Sequence, residues 1–228
     1  MRNPTGVLAV VVSSALAGCA ASSGSSYPAA KLVRPATYAK AMPCCDDPSG
    51  FDFVTLPNQG RVDVVIDARS PVFDFQSGVS PFVAFELPDQ AARYRVRVKS
   101  LIDPKADDDS AIFYPVIALL DETYIVVHMS GLESLRLEPS LATIGGRSGL
   151  AVSVGIDPAE QNGKYLVVFT PAALLGRMPP EDREGDVLSL SALAWMEHGS
   201  DGTLPASPYG RLQVMIAPEV AVAVKGND

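Results

Sequence analysis

The sequence predicts an all-β chain: an antiparallel β-sandwich, jelly-roll-like, with one short helix and a lipoprotein signal peptide in front. Three observations carry that expectation. Nineteen prolines and eighteen glycines in 228 residues break the chain into short pieces, poorly suited to long helices and well suited to strands joined by turns. Within those pieces apolar residues alternate at period two, the spacing of a strand with one buried face. A single segment carries helix start and stop signals in order.

The chain opens with a basic Arg2, an apolar stretch from Gly6 to Leu16, and the close Leu16-Ala17-Gly18-Cys19. That layout is a secretory signal, and the run is too short to span a bilayer comfortably. The Leu-Ala-Gly-Cys ending resembles a bacterial lipoprotein box, which implies cleavage before Cys19 and acylation of that residue. The alternative is an ordinary secretory signal that contains a cysteine. A single acyl chain holds a protein only marginally, so stable anchoring takes more than one. Ala20, not Asp, follows Cys19. By resemblance to lipoprotein sorting, that implies an outer-membrane anchor with the domain facing the periplasm. The expected division is a signal peptide over 1–18, a lipidated flexible tether over 19–43 and a sandwich domain over 44–228.

Phe51 to Leu56 and Arg61 to Asp67 read as strands around the turn Pro57-Asn58-Gln59-Gly60. Ser70 to Phe75 reads as a short bulged or edge segment. Phe82 to Leu87 is nearly all apolar, as in a strand buried on both sides or ending at the core. After the turn Pro88 to Ala92, Tyr94, Val96 and Val98 alternate with Arg93, Arg95, Arg97 and Lys99. These two segments look like a strand pair. The four cations share one face, and like charges at that spacing need acidic partners or full solvation. The stripe is either a docking surface for an anion or protein, or a solvated face neutralised by the acidic excess.

Phe113 to Leu120, Tyr124 to Met129, Leu150 to Ile156 and Lys164 to Thr170 continue the strand series. Asp121-Glu122 supplies one turn and Asn162-Gly163, a favoured hairpin dipeptide, another. Over Thr170 to Gly176, a capping Thr, Pro171 at the first helical position and a terminal Gly predict the short helix. Arg211 to Ile216 and Glu219 to Val224 read as closing strands.

Net charge is −8, which excludes a nucleic-acid partner of the usual basic kind. It also leaves the lipid on Cys19 as the membrane contact. Cys44 and Cys45 are the remaining cysteines. Adjacent Cα atoms lie about 3.8 Å apart, short of the roughly 4.4–6.8 Å that a relaxed disulfide prefers. A vicinal disulfide, two small packed residues and a thiol paired with another chain all remain open.

No reaction centre stands out. His128 and His198 are the only histidines, with no second His at metal spacing, and no cofactor is expected. Asp103 to Asp109 is acidic, but Lys105 and Asp108 break the EF-hand pattern. Gly145-Gly146-Arg147-Ser148-Gly149 lacks both the nucleophile elbow and a phosphate-loop Lys. Trp195, the only Trp, stands with Glu197, His198 and Asp201. An aromatic face with carboxylate acceptors is a candidate ligand patch for sugar, set against plain rim packing.

Three stretches carry a family likeness: Ser80 to Pro88 (SPFVAFELP), Phe113 to Asp121 (FYPVIALLD) and Tyr165 to Thr170 (YLVVFT). With Cys44-Cys45 and the His198 loop leading into Gly210 to Val214, they resemble the maltose operon periplasmic protein (MalM) family, as a lipoprotein member. The long Ala/Pro-rich C-terminal extension of some members has no counterpart here. The resemblance implies a noncatalytic, periplasm-facing accessory in maltose or maltodextrin transport, with a maltodextrin or an outer-membrane porin as partner. It carries over no catalytic residue. A structural envelope lipoprotein without a small-molecule ligand and, further off, a glycan-active enzyme are the alternatives.

Overall fold

The computed structural model describes residues 41–102, 111–138, 147–160, 163–175 and 205–219. Among them, eleven strands form two sheets. The first contains β1 (Phe53–Thr55), β3 (Val72–Phe75), β4 (Gly78–Glu86), β6 (Val116–Leu120), β7 (Val126–Met129) and β10 (Tyr165–Phe169). Their order is β1-β4-β10-β6-β7, with β3 also paired to β4. The second contains β2 (Gly60–Ile66), β5 (Tyr94–Leu101), β8 (Arg136–Glu138), β9 (Gly149–Ile156) and β11 (Gly210–Pro218), in the order β2-β11-β5-β9-β8.

Period-two patterning builds the core between the sheets. Tyr94, Val96 and Val98 on β5 meet Leu212, Val214 and Ile216 on β11 and Val152 and Val154 on β9. Facing them from the first sheet are Phe85, Ile117, Leu119, Leu166 and Val168. Each such side chain contributes about 1.5–3 kcal/mol relative to its exposed state. The first sheet is also apolar on its outer face, where Phe82, Ala84, Val116, Ala118, Leu120, Val167 and Phe169 pack together. Phe51, from the segment before β1, and Phe73 and Phe75 of β3 lie over them. All five residues of β6 are buried as a result. Burial on both faces is why β6 and β10, and β4 from Phe82 to Phe85, read as apolar runs.

The structure confirms the sandwich and corrects several details. One pair is parallel: Phe53, Val54 and Thr55 of β1 register with Ala84, Phe85 and Glu86 of β4. β4 and β5 are not partners. β4 is already flanked by β10 on one side and by β1 and β3 along its length, so the chain crosses to the other sheet. The Asn162-Gly163 connection also crosses, because β10 is held between β4 and β6; Asn162 itself lies outside the described residues. The predicted helix is a single 3-10 turn, Ala172–Leu174. Thr170 does not cap it. Its hydroxyl instead accepts from Tyr114 N and donates to Tyr114 O, both at 3.1 Å. Two further 3-10 turns among the described residues are Pro48–Gly50, capped by Asp47 with Pro48 at its first position, and Leu132–Ser134; strand β8 is a further short element. The predicted closing strand from Glu219 to Val224 lies, beyond Glu219, outside the described residues.

Geometry calls for glycine at Gly60 and Gly149, among other positions. Gly60 opens β2 with φ +108°, a conformation that side chains resist. Gly149 lies so close to β5 that a Cβ there would collide with the Ser100 carbonyl oxygen.

Candidate ligand-binding cleft

Strand register sets up one end of the first sheet. Thr55 lies opposite Glu86, Glu86 opposite Tyr165, and Tyr165 opposite Leu120. Period two places all four on the sheet's outer face. Thr55 and Glu86 form the lip of a cleft of about 620 Å³ that opens at this end of the sandwich. That volume falls in the range of small-molecule sites, about 300–1,000 Å³. Asn58, Asp89, Gln90 and Lys164 supply its other polar groups, over an apolar floor that includes Leu56 and Ile156.

The polar groups are held in place. Lys164 Nζ is 3.6 Å from Glu86 Oε1, and Gln90 Nε2 donates to Asn58 O at 2.8 Å. The Tyr94 hydroxyl donates to Pro88 O at 3.3 Å. Burial, with the Asp89 charge second, pushes the Tyr94 phenol up to about 12. The backbone of Lys164 ties the region together, donating to Leu120 O at 2.7 Å and accepting from Leu87 N at 2.9 Å.

Beside the cleft lies a cluster of three rings. Tyr165 stacks on Tyr124 with centroids 5.0 Å apart and planes within 14°, and meets Phe53 at 4.3 Å. The Asp121-Glu122-Thr123-Tyr124 turn positions Tyr124. Asp121 Oδ1 accepts from Thr123 N at 2.8 Å, Thr123 Oγ1 at 2.7 Å and Ile125 N at 2.9 Å. These hydrogen bonds, the Thr123 hydroxyl first, hold the Asp121 carboxyl below its ordinary value. Tyr165 titrates above its ordinary value because its hydroxyl is hydrogen-bonded with Tyr124. Glu86 and Glu122 add smaller electrostatic contributions in the same direction.

A second cavity, about 430 Å³, lies under the segment covering the first sheet. Phe51, Phe73, Phe75 and Phe169 line it with Val126 and Met129, and the Phe75 and Phe169 rings stack at 3.9 Å. Its walls are overwhelmingly apolar.

The structure places some of the predicted site residues. Each member of the basic stripe meets a carboxylate. Arg93 pairs with Asp157, Arg95 with Glu219 at 2.9 Å, and Arg97 with Glu138, while Lys99 lies 3.4 Å from the same Glu138. Lys99 is buried despite being on the outer face. Burial lowers the pKa of Arg97, and burial together with the Arg97 charge lowers that of Lys99. Cys44 and Cys45 are joined as a vicinal disulfide, with Cys45 Sγ 3.1 Å from Gly50 O. His128 lies on β7, whose residues are all exposed. Cys19, Trp195, Glu197, His198 and Asp201, and the acidic loop 103–109, lie outside the described residues. Among the described residues no helix is long and apolar enough to cross a membrane. Among the same residues no group of three or more His, Cys, Asp or Glu side chains is arranged to hold a metal.

Sequence reasoning missed Tyr124, Tyr165 and Glu86 as a group. One signal was present: Asp121 two residues before Thr123 marks an Asx turn, which presents whatever residue follows. The meeting of Tyr165 with Glu86 depends on inter-strand register, which no local pattern displays.

Fold and cleft together define a two-sheet β-sandwich with a polar cleft at one end and a cluster of three rings on the outer face of the first sheet. The central part of the chain is similar to a known family. Residues 77–178, from the start of β4 to just past the Ala172–Leu174 turn, match the family model of the maltose operon periplasmic protein precursor (MalM). The match includes Glu86, Tyr94, Tyr124, Lys164 and Tyr165, and three of the stretches that carried the resemblance. Cys44-Cys45 and Gly210 to Val214 lie outside it. No curated protein matches the chain.

Proposed function

We propose that the protein is a periplasmic, maltose-operon-associated accessory that binds a maltodextrin without transforming it, in the cleft between Thr55, Glu86 and Lys164. The observation that carries this reading is the family match over 77–178, which contains the cleft's central strands. The cleft's chemistry agrees with it. Carboxylates, amides and an ammonium group suit hydroxyl-rich ligands, and nearby aromatic rings suit the C–H face of a sugar. Isothermal titration of the mature domain with maltohexaose, with cellohexaose as control, tests it. Binding of the first in preference to the second is expected; no binding of either overturns the saccharide reading.

The same reading takes Leu16-Ala17-Gly18-Cys19 as an outer-membrane lipid anchor. Cys19→Ser is then expected to yield an uncleaved or soluble species, and normal processing with membrane fractionation overturns the anchor. A protein partner, such as an outer-membrane porin, is the second reading. It is favoured by the exposed apolar side chains of Ile125, just before β7, and of Val126, Val127 and Met129 on it. Crosslinking and pulldown from native membranes would recover such a partner, and loss of capture on Val127→Lys would place it on β7.

A further inference from the structure

We propose that Tyr124 and Tyr165, backed by Phe53, form a stacking subsite for one glucosyl ring at the lip of the cleft, with Glu86 and Lys164 bonding that ring's hydroxyls. The proposal rests on the saccharide reading above and adds where the sugar lies.

The first observation is in the backbone. Tyr124 has φ +63°, the only positive φ at a non-glycine position among the described residues. A bulky residue there is a true outlier, whereas Gly, Asn or Asp enters that region readily. The turn itself does not call for a ring. Asp121 supplies its hydrogen bonds through Thr123 and Ile125, and Tyr124 N donates to Asp121 O at 3.1 Å whatever side chain it bears. Strain of this kind persists where the surroundings over-determine it and marks sites of function.

The second observation is the ring geometry. Tyr124, Tyr165 and Phe53 have centroids 4.3, 5.0 and 5.9 Å apart, with interplanar angles of 34°, 14° and 24°. Tyr124, Tyr165 and Phe53 come from three separate elements and are each half-buried. They lie on the outer face of the sheet, away from the core between the sheets.

The third is what surrounds the rings. Glu86 lies directly across the ladder from Tyr165 and also faces Thr55, and its carboxylate pairs with Lys164. A pyranose presents C–H groups on one face and hydroxyls around its rim. The electron-rich face of an aromatic ring attracts the former, and a carboxylate with an ammonium group bonds the latter. A purely apolar ligand would strand those charges. An anionic ligand would meet Glu86 and Glu122, which both act on Tyr165.

The test uses the mature chain, maltohexaose titration and three variants. Tyr124→Gly removes the ring and its stacking on Tyr165 while relieving the backbone, two effects that oppose one another, so the fold is expected to survive with a cooperative urea transition. Its maltohexaose affinity is expected to fall by about tenfold, the worth of one aromatic contact. Tyr124→Phe keeps the ring and is expected to stay within about twofold of wild type. Tyr124→Asn, which also tolerates this backbone, is a second ring deletion expected to match the Gly variant. Wild-type affinity in both ring deletions, with maltohexaose still bound, overturns the subsite and leaves the saccharide reading standing. A wild-type chain that binds no maltohexaose overturns both.

Discussion

Thr170→Val isolates one buried polar contact. Thr170 is fully buried at the end of β10, and its hydroxyl makes two bonds to Tyr114, which lies 56 positions earlier in the chain. Valine keeps the shape and removes the hydroxyl. The hydrogen bond from the Tyr114 N–H to the Thr170 hydroxyl is then lost, at a net cost of about 0.5–1.5 kcal/mol. The lost bond to the Tyr114 carbonyl adds about 1 kcal/mol. The expected destabilisation is about 1.5–2.5 kcal/mol, which for a chain of this size lowers Tm by about 2–4 °C per kcal/mol. Urea unfolding followed by far-UV circular dichroism measures it, provided the slopes agree between variants. Thr170→Ser keeps the hydroxyl and loses one methyl, for about 1 kcal/mol. The reasoning fails if the Val variant lies within about 0.5 kcal/mol of wild type, or if Ser costs as much as Val.

Three further outcomes follow from the same structure. Gly149→Ala drives a Cβ into the Ser100 carbonyl, and urea unfolding should show a loss of about 1–3 kcal/mol; a neutral result would mean that β9 shifts freely on β5. Glu138→Gln removes the carboxylate shared by Arg97 and Lys99. Since Arg97 and Glu138 keep some exposure, the expected loss is only about 1–2 kcal/mol, and adding Lys99→Met should recover part of it in a double-mutant cycle. The carboxyls of Asp47, Asp67 and Asp121 are held below their ordinary values by hydrogen bonds from Ser49, Arg69 and Thr123 respectively. A carboxyl lowered in the folded state stabilises above its unfolded pKa, and that contribution disappears as pH falls through the folded pKa. The urea midpoint should therefore drop on acidification below about pH 4, less steeply in Asp121→Asn, and an identical profile in that variant would remove Asp121 from the account.

The strands were legible wherever one face alternates. Tyr94 to Lys99 shows this best: Tyr94, Val96 and Val98 point inward and Arg95, Arg97 and Lys99 outward. The need for acidic partners was legible as well, although their identities were not. Asp157, Glu219 and Glu138 come from distant segments brought together by pairing. Connectivity between strands was the part that local reading misjudged. A turn dipeptide reports that the chain reverses, not which sheet receives the next strand. That choice depends on which edges are already occupied, as β4 and β10 illustrate. β8 is three residues long, too brief to display a period. The candidate cleft was hidden for a related reason, since Glu86, Lys164 and Tyr165 adjoin only once β4 and β10 are in register.

The place of β11 has a consequence for how the chain is made. It is the last described strand in sequence, yet it stands between β2 and β5, registered with seven residues of each. Among the described residues β2 has no other sheet partner. Until residues 210–218 leave the ribosome, the second sheet lacks its middle and two strand edges stand open. Synthesis from the N-terminus therefore leaves this sheet incomplete until β11 has emerged. Such long-range closure is slow, and a product truncated before Gly210 would present both edges to aggregation.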